Sequence, residues 1–136
     1  PTSPPASSLL AALPSDLRAI MKSCTKYSDN TGGGSDTAGY VTSTTDYLFL
    51  LSEWEYHGVR SYANSAEKNF QTQYPYYQAG NSKIKYKHNA TGTAAGSWCR
   101  SVSATYGNIF CRVGTDGSAS YNNASSSWAL APGFCA

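Results

Sequence analysis

The chain has 136 residues, of which 40% are hydrophobic, 13% aromatic and 13% charged, and its formal net charge is +2. This length suits one domain, and the small net charge and the absence of any long apolar run argue against nucleic-acid binding and membrane insertion. Because the charged fraction is well below the usual level of about 25%, the polar surface must consist mainly of Ser, Thr, Asn, Gly and Tyr, as in many proteins that work outside cells.

The N-terminal residues predict a linker followed by one helix. Residues 1–8 are rich in Pro and Ser and indicate a linker or a cut end of a longer chain, and residues 9–136 are interpreted as one domain. Apolar residues at helical spacing predict a helix over 14–22, with Pro14 in its first turn.

The middle of the chain predicts short elements separated by loops. Residues 23–28 suggest a strand, the Gly- and Asp-rich residues 29–39 a loop, and the apolar residues 46–52 a buried strand. Residues 53–58 suggest a turn or a single helical turn. A short helix is expected within 65–80, broken by Pro75.

From residue 83 the pattern changes to short strands. An edge strand is expected at 83–87. Further strands are expected at 97–102, 108–114, 117–122 and 130–136, with an Asp-Gly hairpin turn between the second and third of these. Alternation places Ile109, Cys111 and Val113 on one side, and Phe110 and Arg112 on the other. The predicted fold class is α+β, with small antiparallel sheets.

The four cysteines leave several states open. Cys24, Cys99, Cys111 and Cys135 permit two disulfides in three pairings, or free or partly paired thiols. Their wide spacing lacks a Cys-x-x-Cys pair, so no metal site is expected. Cys99 precedes Arg100, whose charge could lower the pKa of the thiol, but this is a weak signal for reactivity.

No catalytic motif accompanies the acidic and histidine side chains. Glu53 and Glu55 could act as an acid and base pair, but helix capping or an ion pair with Arg60 is the favoured interpretation. His57 and His88 are interpreted as surface or hydrogen-bonded residues.

The C-terminal part has the composition of a binding surface. Trp98, Tyr106, Tyr121 and Trp128 lie among many Ser, Asn, Gly and Thr residues. Aromatic side chains give large contact areas at low entropic cost, and small polar ones adapt their hydrogen bonds. The alternative is a polar solvent face with the aromatic residues in the core, where Trp98 in particular is expected.

Four blocks of the chain carry a family resemblance: LPSDLRAIMK, TTDYLFLLSEWEYHG, YYQAGNSKIKYKHNATGTAAGSWCRSV and IFCRVGTDGSASYNNASSSWALAPGFCA. They resemble a domain family of unknown function found in gut bacteria and their phages and prophages. The resemblance implies a C-type-lectin-like fold. It also implies similarity to the variable proteins of diversity-generating retroelements, in which codons for exposed side chains of a receptor-binding protein are rewritten.

The resemblance separates a constant frame from variable positions. The frame is expected to include Trp98, Arg100, Ser101, Phe110, Cys111, Val113, Asp116, Gly117, Ala131, Pro132, Phe134 and Cys135. Fifteen positions are expected to vary. Two of them are Ile109 and Gly114, and the other thirteen form the predicted ligand-binding face: Ser97, Cys99, Val102, Ser103, Thr105, Tyr106, Asn108, Arg112, Ser120, Asn122, Asn123, Ser126 and Trp128. Ala129 departs from the family, which often has Gly there. The resemblance places strands before the 14–22 helix, where this sequence has only residues 1–13, so the first family strand is expected to be missing, cleaved or supplied by a partner chain.

These observations predict a non-enzymatic domain without a cofactor or metal. It would be part of a phage or prophage surface protein and would bind a host cell-surface receptor, either a protein or a glycan. It would lie at the surface of a virion or bacterial cell, in contact with other virion subunits or as a homotrimer. One alternative is a structural or assembly module of a virion. Another is a thiol-dependent oxidase of the formylglycine-generating type, whose glycine-serine-tryptophan block resembles residues 96–100. The calcium-binding motifs of sugar-binding lectins are absent.

Overall fold

The computed structural model describes residue 1 and residues 3–136 as short helices and short strands. The α-helices of this part are α1 (Ser15–Ile20), α2 (Glu53–His57) and α3 (Pro75–Gln78), and 3-10 turns occupy Leu9–Ala12, Ala38–Tyr40 and Ser65–Asn69. The strands are β1 (Cys24–Asp29), β2 (Val41–Asp46), β3 (Phe49–Leu50), β4 (Lys85–Lys87), β5 (Ala90–Ala95), β6 (Ser97–Val102), β7 (Ile109–Val113), β8 (Ala119–Asn123) and β9 (Pro132–Gly133).

The strands form small antiparallel sheets, as the α+β prediction expects. The pairs β1–β2, β3–β9 and β4–β5 are two-stranded, and β6, β7 and β8 form a three-stranded sheet with β7 in the middle. The predicted hairpin turn between β7 and β8 is confirmed, since the Gly117 N–H donates to the Gly114 carbonyl at 3.0 Å. The finer assignment to a C-type-lectin-like fold stays a prediction.

The hydrophobic core lies between α2 and the β6–β7–β8 sheet. Its buried members are Leu51, Tyr56, Ala63, Cys99, Cys111 and Val113. Cys111 and Val113 are almost fully buried, while Phe110 is exposed, so the predicted alternation along β7 is confirmed there. Core side chains of β6 and β7 thus pack the sheet against α2.

Helix α2 begins with a capping box. The Ser52 hydroxyl accepts from the Glu55 N–H at 3.0 Å, and the Glu55 carboxylate accepts from the Ser52 N–H at 3.0 Å. Two donors that a helix start would leave unpaired are thereby satisfied. The cap explains why the predicted strand over 46–52 is shorter in the structure, where it covers only Phe49–Leu50.

Other predicted elements differ in their bounds. The predicted helix at 14–22 is confirmed as α1, with Pro14 as its N-cap rather than in its first turn. The prediction that Pro75 breaks a helix is wrong: Pro75 occupies the first turn of α3, where its missing N–H costs nothing. The preceding residues form only a 3-10 turn.

Strands β2 and β5 are absent from the sequence predictions. Both consist largely of Thr, Ser, Ala and Gly, and most of their residues are exposed. An exposed strand that pairs with a neighbour needs no apolar alternation, so the usual signal is missing. They pair with β1 and β4 respectively.

The structure settles the cysteine alternatives. Cys24 and Cys135 form a disulfide with a Cα–Cα distance of 6.4 Å, and Cys99 and Cys111 are free and buried. A backbone bridge between Lys22 and Cys135 lies beside the disulfide. The start of β1 is thus joined to the C-terminal segment covalently and by backbone pairing.

No helix in the described part of the chain is both long and apolar enough to cross a membrane.

Candidate ligand-binding surfaces

A buried carboxylate fixes one loop of the site. Glu53 is 1% exposed and accepts hydrogen bonds from the N–H groups of Ser61 at 2.6 Å, Tyr62 at 3.0 Å and Ala63 at 3.2 Å. These bonds hold residues 61–63 against α2. Glu53 therefore serves to position a loop. The expected ion pair with Arg60 is wrong, because the Arg60 guanidinium pairs with Asp36 at 3.0 Å.

A second buried carboxylate joins three parts of the chain. Glu55 pairs with Lys26 at 3.1 Å and with Arg100 at 2.5 Å. Burial opposes the charge on Glu55, but the hydrogen bond and charge of Arg100 hold the pKa of the carboxyl below its ordinary value. The Arg100 guanidinium also donates to the carbonyls of Leu50 at 2.9 Å and Tyr27 at 3.2 Å. Strand β6 is thereby connected to β1, β3 and α2.

A third buried carboxylate belongs to Glu67. Its oxygens accept from the Ser101 hydroxyl at 2.7 Å and the Asp29 N–H at 3.2 Å. Burial outweighs these bonds and raises the pKa of Glu67 to about 7. Together, Glu53, Glu55 and Glu67 form what we call the carboxylate frame.

The free thiols lie inside this frame. Burial raises the pKa of both Cys99 and Cys111 far above the ordinary value for a thiol. The expectation that Arg100 lowers the pKa of Cys99 is wrong, because desolvation dominates and the guanidinium is bound to Glu55. The thiolate that thiol-dependent chemistry requires is disfavoured at both positions.

The register of β7 and β8 divides the predicted face between two sides of the sheet. Cys111 pairs with Tyr121, whereas Arg112 pairs with Ser120. Directly opposite residues of an antiparallel pair share a side, so Tyr121 lies on the side of the core and Arg112 on the other. The predicted single face is therefore two surfaces.

The first surface is a tyrosine cleft of about 260 Å³, lined by Tyr62, Ser103, Thr105, Tyr106 and Tyr121. The Tyr62 and Tyr121 rings meet edge to face, with centroids 4.7 Å apart. Tyr106 is 57% exposed and Tyr121 is 45% exposed. The exposed parts of these rings offer a large aromatic surface to a ligand.

Two contacts shape the loop that carries Tyr106. The buried Ser103 hydroxyl accepts from the N–H groups of Thr105 at 3.1 Å and Tyr106 at 3.2 Å. Gly34, at φ +63°, lies so close that a Cβ there would be 2.5 Å from the Gly107 nitrogen. Loop 30–37 thus packs against the turn from behind, which limits the positions that Tyr106 can take.

The second surface lies on the opposite side of the sheet. The Arg112 guanidinium stacks over the Trp128 ring at 4.1 Å, and the Trp98 and Phe110 rings meet with centroids 6.2 Å apart. Leu50, Trp98 and Phe110 line an adjacent cavity of about 360 Å³. Trp98, expected in the core, is half-buried at this surface.

The polar residues beside these surfaces bond locally. The Asn123 side-chain oxygen accepts from the N–H of Ser125 at 3.1 Å, and the Ser126 hydroxyl donates to Asn122 at 3.0 Å. Each bond closes a turn of a few residues and leaves neighbouring polar atoms free for other partners.

The thirteen predicted contact residues differ in accessibility. The exposed ones are Thr105, Tyr106, Asn108 and Asn123, and the half-buried ones are Arg112, Ser120, Asn122, Ser126 and Trp128. Ser97, Cys99, Val102 and Ser103 are buried. The expected contact with a ligand is not matched by exposure at Ser97, Cys99 and Val102, which have almost no accessible surface in this structure, whereas the buried Ser103 lines the tyrosine cleft. Tyr62 belongs to the tyrosine cleft but was not predicted.

Within residues 1 and 3–136, no group of three or more His, Cys, Asp or Glu side chains is arranged to hold a metal ion. His57 is half-buried, and burial lowers the pKa of its imidazole. His88 is exposed. Neither histidine lies at the tyrosine cleft.

Comparison with known proteins yields one family. The model of a domain of unknown function, DUF6273, matches residues 7–135. No curated protein matches the chain, and no solved structure does.

Proposed function

The chain belongs to the DUF6273 family, whose function is unknown, and we propose that it is a ligand-binding domain that attaches a phage or prophage surface protein to a receptor on a host cell. The ligand-binding role is supported by the geometry of the tyrosine cleft. The phage context rests on the sequence resemblance described above.

The observation that carries the proposal is the pair of exposed rings on a fixed support. Tyr106 and Tyr121 are large, exposed aromatic side chains that line the same cleft. Tyrosine is enriched at recognition surfaces because it combines an apolar ring with a hydroxyl and has few rotatable bonds. The ligand would bury these rings between Tyr62 and Thr105.

The support beneath the cleft is the second argument. Tyr62 is held through the bond from its N–H to Glu53, and Ser103 N–H donates to the Ile109 carbonyl at 2.9 Å. A binding surface held this way loses little freedom when a ligand binds, which favours affinity.

The test compares tyrosines of matched exposure. Purified labelled domain is applied to a panel of gut bacterial strains, and surface binding is measured by flow cytometry. We expect the double variant Tyr106→Ala, Tyr121→Ala to lose at least tenfold of the binding, as removal of central aromatic anchors does. Tyr76→Ala is the control, because Tyr76 is 61% exposed on α3 and lies outside the cleft.

Two results would contradict the proposal: binding to no strain, or equal binding by the double variant and the parent. The combined variant Tyr106→Ala, Arg112→Ala, Trp128→Ala extends the test to both sides of the sheet. If only that variant loses binding, the ligand contacts the Arg112 side and the tyrosine cleft is not the site.

A virion assembly module is the second candidate, and one apolar patch favours it. A groove of about 170 Å³ is lined by Leu9, Leu48, Phe49, Leu50, Leu130 and Pro132. Leu9 is 51% exposed and Leu130 is 57% exposed, which is typical of surfaces that meet another subunit. Sedimentation of the parent and of Leu9→Ser, Leu130→Ser distinguishes the candidates: an oligomer that the variant dissociates supports assembly, and a monomeric parent opposes it.

A further inference from the structure

A further cleft, of about 440 Å³ and with a mainly apolar lining, lies between the β4–β5 hairpin and residues 127–129. Lys87 enters it from β4, Thr115 from the β7–β8 turn, and Ser127 and Trp128 from the C-terminal segment, while its remaining wall consists of alanines and Gly96. We call it the Trp128 cleft. It shares no lining residue with the tyrosine cleft.

The wall of this cleft is held by backbone pairing. The Ala129 carbonyl accepts from the Trp98 N–H at 3.0 Å, and the Ala129 N–H donates to the Gly96 carbonyl at 3.1 Å. The C-terminal segment therefore runs beside β6 as a short parallel bridge. Trp128 is positioned by this bridge and not by a free loop.

Gly96 makes room for two side chains at the floor of the cleft. A Cβ at this position would lie 2.6 Å from the Arg112 Nη1 atom and 3.0 Å from the Trp128 ring. Only glycine leaves the space in which the guanidinium stacks on the indole, 4.1 Å above its centroid. Arg112 is not itself a lining residue of the cleft, but its guanidinium is stacked on the ring of Trp128, which is.

Two positively charged side chains at or beside the Trp128 cleft have no ion-pair partner in the described part of the chain. Neither Lys87 nor Arg112 forms an ion pair with any residue that the structure describes. The nearby Asp116 carboxylate accepts the N–H and hydroxyl of Ser118 on one oxygen, Oδ1, at 3.0 and 2.7 Å, and its charge interacts with Arg112 without forming an ion pair. The indole N–H of Trp128 has no acceptor in the described part of the chain, but its nitrogen is buried and adds no donor to the open cleft. An anionic group would pair with the two cations.

We propose that the Trp128 cleft binds a carboxylated sugar, such as a uronic-acid unit of an acidic cell-surface polysaccharide. The inference rests on the proposed function and names the chemistry of one ligand. The carboxylate pairs with Lys87 and Arg112, the C–H face of the sugar ring packs on the alanine and indole wall, and Thr115 and Ser127 bond its hydroxyls. An inorganic anion would use the cations but leave the apolar wall unused, which is why we favour the sugar.

The probe is tetragalacturonate, and its methyl ester is the matched control because esterification removes the negative charges and keeps the rings. Binding is measured by calorimetry and by the fluorescence of the tryptophans. We expect the acid form to bind, the ester to bind at least tenfold more weakly, and 0.5 M salt to weaken the acid form strongly. Lys87→Gln and Arg112→Gln should each weaken it about tenfold, whereas Lys68→Gln, the same charge change at an exposed distant lysine, should not.

Gly96→Ala provides an independent variant, because its Cβ displaces Arg112 and Trp128 without changing charge. Its thermal unfolding is measured beside its binding, and a folded variant with weakened binding supports the site. Equal binding of the ester, equal weakening by Lys68→Gln, or no binding of tetragalacturonate would overturn the inference. Displacement by inorganic phosphate at an equal concentration would overturn the assignment to a sugar.

The two proposals fail separately. If cell binding is lost in the tyrosine variant but tetragalacturonate does not bind, the proposed function stands and the sugar assignment fails. If tetragalacturonate binds as expected but no strain binds the domain, the host-attachment role fails and the cleft remains an acid-sugar site.

Discussion

The carboxylate frame and the C-terminal surface segment use hydrogen bonds in opposite ways. In the frame, Ser101 bonds to Glu67 across 34 residues, and Arg100 bonds to Glu55 across 45 residues and to the Tyr27 carbonyl across 73. In the surface segment, the side-chain bonds of residues 116–126 mostly span one to four residues. Buried long-range bonds hold the fold together, whereas local exposed bonds only shape turns.

This difference indicates which residues can be substituted without a large loss of stability. Removing one partner of a buried network leaves an unsatisfied charge, and removing a surface hydroxyl leaves an atom that water can reach. The side chains that line the two clefts make none of the hydrogen bonds to Glu53, Glu55 and Glu67 that the structure describes, although Tyr62 also packs against the core. Such an arrangement suits a surface whose residues are exchanged while the fold is kept.

The largest loss of stability is expected for Glu55→Gln, which tests the contrast between the carboxylate frame and the surface segment. Glutamine keeps the capping box of α2 but removes the charge that neutralises Lys26 and Arg100. We expect the free energy of unfolding, measured in urea, to fall by about 3 to 5 kcal/mol, as it does when buried ion pairs lose one partner. Asp46→Asn, an exposed acid in β2, is the control. A loss below about 1 kcal/mol would refute the role of the frame.

The second test uses the pH dependence of Glu67. Its pKa of about 7 in the folded protein exceeds the ordinary value of 4.5, so the folded chain binds more protons than the unfolded chain between these values. The stability that this group contributes is fully present below pH 4.5 and is lost as the pH rises through 7, by an amount on the order of 3 kcal/mol in total.

Urea unfolding between pH 5 and 8 checks this sign. The parent should lose stability over this range, and Glu67→Gln, which resembles the protonated acid, should have a flatter profile. The difference between the two profiles isolates Glu67 from other titrating groups such as His57. A parent that gains stability relative to the variant as the pH rises would contradict the prediction.

The smallest expected effect lies in the surface segment. Asn122→Ala combined with Asn123→Ala removes only local bonds on β8, so we expect the free energy of unfolding to change by about 0.5 kcal/mol or less. The same urea measurement applies. A loss above about 1 kcal/mol would show that the surface supports the fold, and the contrast with the frame would disappear.

The sequence predicted the sheet far better than the shape of the site. Strands β6, β7 and β8 and their turn follow from alternation and from the Asp-Gly pair, which are local signals. The polar strands β2 and β5 lack alternation and were missed. Whether both sides of a strand are covered depends on distant residues, so the burial of Ser97 and Val102 could not be read locally.

The tyrosine cleft depends on the same distant contacts. Tyr62 comes 59 residues before Tyr121 in the sequence and reaches it because Glu53 anchors the 61–63 loop. The sequence analysis interpreted Glu53 as a capping residue or an ion-pair partner of Arg60, and neither role indicates that Glu53 binds the 61–63 loop. Lys87 and Trp128 likewise meet only through the pairing of Ala129 with Gly96.

The Cys24–Cys135 disulfide makes a closed ring of nearly the whole domain, since its two cysteines are 111 positions apart in the sequence. A protease that cuts one exposed loop inside this ring, such as residues 30–37 or 79–83, opens the ring without releasing a fragment. Both pieces remain covalently attached and can pair again around the same core. A domain exposed to digestive enzymes would keep its two clefts on one molecule after a single cleavage, and only reduction would separate the halves.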